Sequence, residues 1–117
     1  MDYVRSMAFS PLGTHLITAS SDKIGYVWNL ETFKVERELK KHTDIIRSIA
    51  YSPDGTQAAT ASNDKTIIIW NMDVQLPDLK LQKHSRQILQ VVFSPDGQFI
   101  ATASADKLAY MWNLKTH

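Results

Sequence analysis

The sequence contains one 21-residue unit three times, at a constant spacing of 42 residues. The copies occupy residues 9–29, 51–71 and 93–113, without insertion or deletion. Ten positions are identical in all three copies, and they read Ser-Pro, Gly, Thr-Ala-Ser, Asp-Lys and Trp-Asn along the unit. Self-similarity at a fixed period of this length is the signature of a repeat architecture, in which each unit buries its apolar face against the next. Any fold for this chain must therefore place three equivalent units side by side.

Each copy carries the signals of short strands joined by tight turns. In the second copy, Ile46 to Tyr51 is rich in β-branched and aromatic residues, which favour a strand. Ser52-Pro53-Asp54-Gly55 follows, where proline presets φ and glycine can adopt the positive φ of a turn. The small residues from Gln57 to Ser62 predict a second strand packed on both faces, and Thr66 to Asn71 predicts a third. No segment shows sustained helical periodicity.

A fourth strand is predicted in the more variable region. From Phe33 to Leu39 the odd positions are apolar except Arg37, and the even positions are charged, as in an outer edge strand. Leu79 and Leu81 repeat this pattern more weakly, and the third copy stops before it. The sequence thus predicts two four-stranded units and a third that lacks its outer strand. The aromatic residues at positions 9, 51 and 93 are predicted to be core residues.

Four antiparallel strands per roughly 42 residues is the arrangement of a β-propeller blade of the WD type. The sequence resembles WD40 repeats over residues 3–116, although Trp-Asn replaces Trp-Asp in every copy and Lys-His replaces Gly-His at 41–42 and 83–84. The resemblance implies an all-β fold of three consecutive WD40-type β-propeller blades that form a partial propeller. The expected repeats are residues 1–41, 42–83 and 84–117, and a fragment of a larger propeller is favoured over closure by association of copies.

Three residue types that recur with the period could form a catalytic triad or a structural network. Thr60, His42 and Asp64 supply a hydroxyl, an imidazole and a carboxylate. However, an indole N–H only donates, a carboxylate only accepts, and a hydroxyl and a neutral imidazole do both. A line from Trp70 to Thr60, His42 and Asp64 therefore satisfies every polar group. We expect Thr60 to face Trp70 directly across a hairpin turn centred on Lys65.

The resemblance implies that such a network ties the inner strands of each blade to the loop that enters it. A catalytic centre is needed once, whereas this set recurs at every period, which favours a structural role. The first copy lacks a preceding histidine, so we expect its network to be the weakest. The predicted network residues are Thr18, Asp22, Trp28, His42, Thr60, Asp64, Trp70, His84, Thr102, Asp106 and Trp112.

The resemblance also implies a binding face on the loops before the first strand and between the second and third strands. Residue identities vary among the copies there, and they mix aromatic, aliphatic and guanidinium groups that suit interface hot spots. The candidate partner-binding residues are Tyr3, Arg5, Ser21, Ile45, Arg47, Asn63, Gln87, Leu89 and Ala105. The predicted function is a non-enzymatic protein–protein interaction scaffold, whose partners are other proteins and further WD40 repeats of the same or another chain.

Two alternative functions stay open. A basic stripe at the edge of the fourth strand could bind nucleic acid or phosphoinositide, although acidic residues interrupt it. Its members are Lys40, Lys41, His42, Lys80, Lys83 and Arg86. A domain of an enzyme is the other alternative, but no Gly-rich phosphate loop, metal cluster or unpaired acid–base set supports it.

Composition narrows these choices. A net charge of +1 gives no general attraction to nucleic acid or anionic membranes. Without cysteine there is neither a disulfide framework nor a thiolate metal site, and no cofactor is expected. The longest apolar run, Ile67 to Trp70, is too short to span a bilayer, and no secretory signal is visible. We therefore expect an intracellular protein of the cytoplasm or nucleus.

Overall fold

A computed structural model describes residues 4–73 and 75–115, and these form eleven β-strands in three antiparallel sheets. The first sheet contains β1 (Val4–Phe9), β2 (His15–Ser20), β3 (Gly25–Asn29) and β4 (Lys34–Leu39). The second contains β5 (Ile46–Tyr51), β6 (Gln57–Ser62), β7 (Ile67–Asn71) and β8 (Leu79–Leu81). The third contains β9 (Ile88–Phe93), β10 (Phe99–Ser104) and β11 (Ala109–Asn113). Strands are neighbours in chain order, which confirms the predicted all-β architecture of two four-stranded units and one three-stranded unit.

The Ser-Pro-x-Gly motif forms the turn between the first two strands of each sheet. Ser52 Oγ accepts a hydrogen bond of 3.0 Å from the N–H of Gln57, and the same bond recurs at 3.0 Å in the other two copies. The glycine of each motif has φ of 73° or 74°, a left-handed conformation that glycine adopts without a steric penalty. The motif is therefore retained in all three copies because the turn geometry requires it.

In the second and third sheets, the serine of Thr-Ala-Ser joins the loop before the sheet to a later turn. Ser62 Oγ donates to the carbonyl of Ile45 at 2.9 Å and accepts from the N–H of Asp64 at 3.0 Å. Ser104 Oγ makes the equivalent bond to the carbonyl of Gln87 at 3.0 Å. The repeat thus keeps serine here because a small hydroxyl can satisfy two backbone groups at once.

Contacts between neighbouring sheets join equivalent positions of successive repeats. The N–H of Val91 donates to Ser48 Oγ, 43 residues away, at 3.2 Å. Arg37 reaches Asp78, 41 residues away, at 3.4 Å. Because both separations are close to one period, the three sheets stand side by side in the same orientation, as propeller blades do.

Two apolar clusters fill the spaces between the sheets. The cluster between the first and second sheets contains Ile17, Ala19, Val27, Leu39, Ile46, Ile49, Ala58, Ile68 and Trp70. The cluster between the second and third contains Ala59, Ala61, Ile67, Ile69, Leu81, Ile88, Val91 and Ile100. The second sheet therefore contributes to both clusters, and its small-residue strand β6 is packed on both faces, as its composition predicts.

The first and third sheets each expose an apolar outer face. Met111 of β11 is 74% exposed, whereas Ile69, its equivalent in the second sheet, is 1% exposed. Phe9 of β1 is 62% exposed, while its equivalents Tyr51 and Phe93 pack partly buried against the two clusters. The prediction that all three aromatic positions are core is therefore wrong for Phe9, because no described residue covers that side of the first sheet.

Strand β4 departs from the predicted alternation of apolar and charged faces. Phe33 lies in the turn before β4 with φ of 58° and is 76% exposed, and Val35 is 41% exposed. Only Leu39 is fully buried. The register of β4 on β3 shifts at Glu36, because Val35 and Arg37 pair with consecutive residues of β3. Such a β-bulge interrupts the two-residue period, so a continuous apolar face cannot form.

Candidate functional site

The second sheet contains a complete line of buried hydrogen bonds. Trp70 Nε1–H donates to Thr60 Oγ1 at 2.8 Å, and Thr60 Oγ1 lies 2.6 Å from His42 Nε2. His42 Nδ1 lies 2.8 Å from Asp64 Oδ2. If Nδ1–H donates to the carboxylate, Nε2 of the neutral ring accepts the Thr60 hydroxyl proton, so every group in the line has a partner.

The register of this hairpin differs from the expected one. Thr60 pairs with Ile68, and Trp70 pairs with Ala58. The turn is thus centred one residue before Lys65, and the prediction that Thr60 faces Trp70 directly is wrong. The two residues are diagonal neighbours on one face, and the long indole reaches across that distance.

The third sheet repeats the line. Trp112 Nε1–H donates to Thr102 Oγ1 at 3.1 Å, and His84 Nε2 lies 2.8 Å from the same oxygen. His84 Nδ1 lies 3.0 Å from Asp106 Oδ2. The ring of Tyr110 packs edge-on against the His84 ring, with 4.6 Å between centroids. This contact covers one side of the imidazole with an aromatic ring.

The first sheet has a shorter version of the network. Trp28 Nε1–H donates to Thr18 Oγ1 at 2.9 Å. Asp22 accepts hydrogen bonds from the hydroxyls of Ser20 at 2.6 Å and Tyr26 at 2.7 Å. Tyr26 thus supplies the carboxylate with a donor where the other repeats use histidine. Sequence reasoning missed this role, for which the only signal is a tyrosine two residues before the tryptophan.

The second network has another member, Thr66, that the sequence analysis did not predict. Thr66 donates its hydroxyl to Asp64 Oδ1 and lies 3.2 Å from His42 Nδ1. Ile24 and Leu108 occupy this position in the other repeats. The second network therefore holds one more hydroxyl than the third.

Burial and hydrogen bonding have opposite effects on each pKa in the second network, and the pKa values of His42 and Asp64 both end below their ordinary values. Burial lowers the pKa of His42, because the charged ring would lose its hydration, and the bond and charge of Asp64 only partly offset this. Burial acts to raise the pKa of Asp64, but hydrogen bonds from Thr66, the Thr43 N–H and His42 hold it below its usual value. At neutral pH the network therefore consists of a neutral imidazole and an ionised carboxylate.

The same opposing effects act on the carboxylate of the third network. Burial acts to raise the pKa of Asp106, but hydrogen bonds from the Ser85 N–H, His84 and the Leu108 N–H outweigh it and lower the pKa to about 2. Asp106 is therefore ionised at any physiological pH.

The chemistry open to these networks is limited. The hydroxyl-bearing residues Thr60 and Thr102 are 0% and 2% exposed, so both are buried within their sheets. Within residues 4–73 and 75–115, no group of three or more His, Cys, Asp and Glu side chains is placed to hold a metal ion. The geometry favours a bracing role for these networks.

The candidate partner-binding residues lie at the end of the sheets where the loop before the first strand meets the second turn. The N–H of Asn63 donates to the carbonyl of Ile45 at 2.9 Å, and Arg47 Nε–H donates to Asn63 Oδ1 at 2.8 Å. In the third sheet, the N–H of Ala105 makes the equivalent bond to the carbonyl of Gln87 at 3.0 Å. Each of these two sheets thus brings its own candidates together.

The remaining described candidates occupy the equivalent positions in their own repeats. Arg5 and Leu89 are exposed on β1 and β9, and Ser21 is partly buried in the turn after β2. Tyr3 lies outside the described residues.

Some members of the predicted basic stripe have partners. Lys41 Nζ donates to Asp78 at 3.0 Å, and Lys40 lies 3.4 Å from Glu38. Lys83 Nζ lies 4.8 Å from the centre of the Tyr110 ring. These partners leave less uncompensated positive charge for a polyanion than the sequence suggests.

The WD domain, G-beta repeat family model matches residues 1–29, 33–71 and 77–113, and the chain belongs to the WD40-repeat family. No curated protein matches the chain at a significant level. The second match covers β4 to β7 and the third covers β8 to β11, so each supplies the outer strand of one sheet and three strands of the next. Within the described residues, no helix is long and apolar enough to cross a lipid bilayer.

The pH dependence of unfolding tests the burial of His42. Its pKa in the folded chain lies below the ordinary 6.5, so the unfolded chain binds a proton first as the pH falls. The neutral, buried His42 therefore stabilises the folded chain fully at a pH above the ordinary pKa, and this stabilisation is lost as the pH falls from there toward the lower pKa of the folded chain. From about pH 7.5 to about 5.5 we expect the free energy of unfolding to fall, by up to about 1.4 kcal/mol per pH unit below the ordinary pKa, as measured by urea titration.

His42→Gln should reduce this pH dependence, whereas His15→Gln, a change in a half-buried histidine outside the networks, should retain it. The aspartates do not confound the comparison, because they stay ionised in both states over this range. An unfolding free energy that is constant over the range in the unmodified chain would contradict the account.

Proposed function

We propose that this chain is a non-enzymatic protein–protein interaction scaffold, part of a WD40 β-propeller platform. WD40 repeat domains are typically scaffolds of this kind. The observation that carries the proposal for this chain is the contrast, at one end of the sheets, between variable side chains and a constant backbone. There, side chains that differ among the repeats are mounted on a backbone held by the same hydrogen bonds in the second and third sheets.

The chemistry of this end supports protein recognition. The guanidinium of Arg47 is exposed, and its bond to Asn63 already restricts its conformation, which lowers the entropy lost on binding. Leu89, at the equivalent position of the next repeat, is exposed and aliphatic. With Ile45 beside Arg47, the surface offers the mixture of arginine and apolar groups found in interface hot spots.

We propose no catalytic role for this chain, since the recurring hydroxyl, imidazole and carboxylate groups bond one another in buried positions. Nucleic acid or phosphoinositide binding by the basic stripe is the weaker alternative, because Lys40 and Lys41 already have acidic partners. The expected intracellular location stays a prediction.

Substitution on the candidate face tests the scaffold function. Ile45→Ser with Arg47→Glu should abolish capture of partner proteins, as measured by quantitative mass spectrometry after affinity capture, while the unfolding free energy changes little. The control pair Lys34→Glu with Val35→Ser alters a cation and an aliphatic residue that are both exposed on β4, and it should leave capture unchanged. Undiminished capture by the first pair would reject this face.

We further propose that the outer faces of the first and third sheets are docking surfaces for further WD40 repeats of the same or another chain, with repeats at 1–41, 42–83 and 84–117. Phe9 and Met111 are exposed at positions whose equivalents in the second repeat pack against a neighbouring sheet. The exposed positions thus match the chemistry of an interface between blades.

Sedimentation of the isolated chain tests this pairing of faces. We expect concentration-dependent association that Met111→Glu or Phe9→Glu reduces strongly. Leu76→Glu changes an exposed leucine in the loop after β7 and should have no such effect. A chain that stays monomeric at all concentrations, or association that both face variants leave intact, would contradict the proposal.

A further inference from the structure

A methionine lies on each of the two outer faces, at a position where the other repeats carry a β-branched aliphatic residue. Met7 of β1 corresponds to Ile49 and Val91, and Met111 of β11 corresponds to Val27 and Ile69. The four counterparts are at most 7% exposed, whereas Met7 is 56% and Met111 is 74% exposed. The repeat thus has a stiff β-branched side chain where a neighbouring sheet covers the position, and a flexible thioether where no described residue does.

The two positions come together at each junction between sheets. Each apolar cluster contains one residue from each position, Val27 with Ile49 and Ile69 with Val91. The first of each pair lies on the third strand of one sheet, and the second lies on the first strand of the next sheet. Where the third sheet of one copy docks onto the first sheet of a second copy, the same rule brings Met111 and Met7 into one cluster. Head-to-tail contact between copies therefore buries the two thioether groups together.

Such a junction tolerates methionine only while its sulfur is reduced. A thioether packs as an apolar group, whereas methionine sulfoxide is polar. The buried members of both clusters are all isoleucine, leucine, valine, alanine or tryptophan, and the Trp70 N–H already donates to Thr60. A sulfoxide oxygen at an equivalent junction would find no free side-chain donor there. Its burial without a hydrogen bond would therefore weaken docking.

The free chain exposes these two side chains to a dissolved oxidant more than it exposes a third methionine. Met72 is partly buried and packs against the cluster between the first and second sheets. Met1 lies outside the described residues. Because Met7 and Met111 are largely in water, their oxidation leaves the polar sulfoxide hydrated in the free chain and does not disturb the fold.

We propose that Met7 and Met111 are oxidation sites at which hydrogen peroxide switches off the docking of further repeats onto the two outer faces. The O–O bond of the peroxide breaks, one oxygen atom forms a bond to the thioether sulfur, and the other oxygen leaves as water with both protons. The sulfur loses two electrons to the peroxide. The inference rests on the proposed docking of the outer faces and adds its regulation.

Peroxide treatment at a chain concentration low enough to keep the chain monomeric tests the two sites. Tryptic peptide mapping by mass spectrometry follows each methionine separately, because cleavage at Arg5 separates Met1 from Met7. We expect Met7 and Met111 to form sulfoxide several-fold faster than Met72, without a change in melting temperature. Equal rates at the three positions would refute the assignment of the sites. A lowered melting temperature would refute the switch, since the sulfoxides would then damage the fold itself.

Sedimentation of the oxidised chain tests the effect on docking. We expect oxidation of Met7 and Met111 to raise the dissociation constant of self-association at least about tenfold. Sulfoxide reductases that act on both epimers should restore the original value. Association that oxidation leaves unchanged, or a loss that the reductases do not reverse, would overturn the proposal.

Variants assign the effect to the two sulfurs. Met7→Ile with Met111→Ile introduces the residue that the second repeat has at both positions, and peroxide should not change the association of this variant. The matched control Met72→Leu should respond to peroxide as the unmodified chain does. A response of the double variant equal to that of the control would contradict the switch. If the double variant does not associate, reversal by the reductases decides.

The docking proposal and the switch fail separately. An untreated chain that stays monomeric at all concentrations contradicts docking, and the switch with it. Association of the untreated chain that persists after complete conversion of Met7 and Met111 to the sulfoxide contradicts the switch alone.

Discussion

We propose that the second sheet depends on the hydrogen-bond line from Trp70 through Thr60 and His42 to Asp64. It joins β7, β6, the segment before β5 and the turn after β6, four parts of the chain that apolar packing alone would not align. In a buried environment each of these bonds is strong, and each missing partner is costly. Because the line ends in the loop and turn that carry Ile45 and Asn63, it also determines where the candidate binding face lies.

The two ends of the sheets differ in which residues vary among the repeats. At the candidate partner end, the hydrogen-bond frame is the same in successive sheets and only the mounted side chains vary, so neighbouring blades can present different chemistry at equivalent places. At the Ser-Pro end, the turns are nearly identical, and Leu12 and Tyr51, which replace the aspartate and phenylalanine of the other repeats, line one cleft.

Much of this fold could be predicted because its signals are local. Turn residues and strand composition identify β5, β6 and β7 to within one residue, and the spacing of the copies extends these strands to the other two repeats and gives the stacking of the sheets. The features that the sequence did not predict correctly are those that depend on a neighbouring strand. The bulge at Glu36 and the diagonal pairing of Thr60 depend on register, which no single segment encodes. The Tyr26 contact with Asp22 and the cleft beside Tyr51 depend on proximity in space, which sequence separation conceals.

The most direct test of the central claim compares one substitution in two repeats. Thr60 bonds two partners and is fully buried, whereas Thr18 bonds only the indole among the described residues and is partly exposed. Thr→Val keeps the shape and removes the hydroxyl. We predict that Thr60→Val lowers the free energy of unfolding by about 2–4 kcal/mol and Thr18→Val by about 1 kcal/mol, measured by urea unfolding. A Thr60→Val loss no larger than that of Thr18→Val would contradict the account.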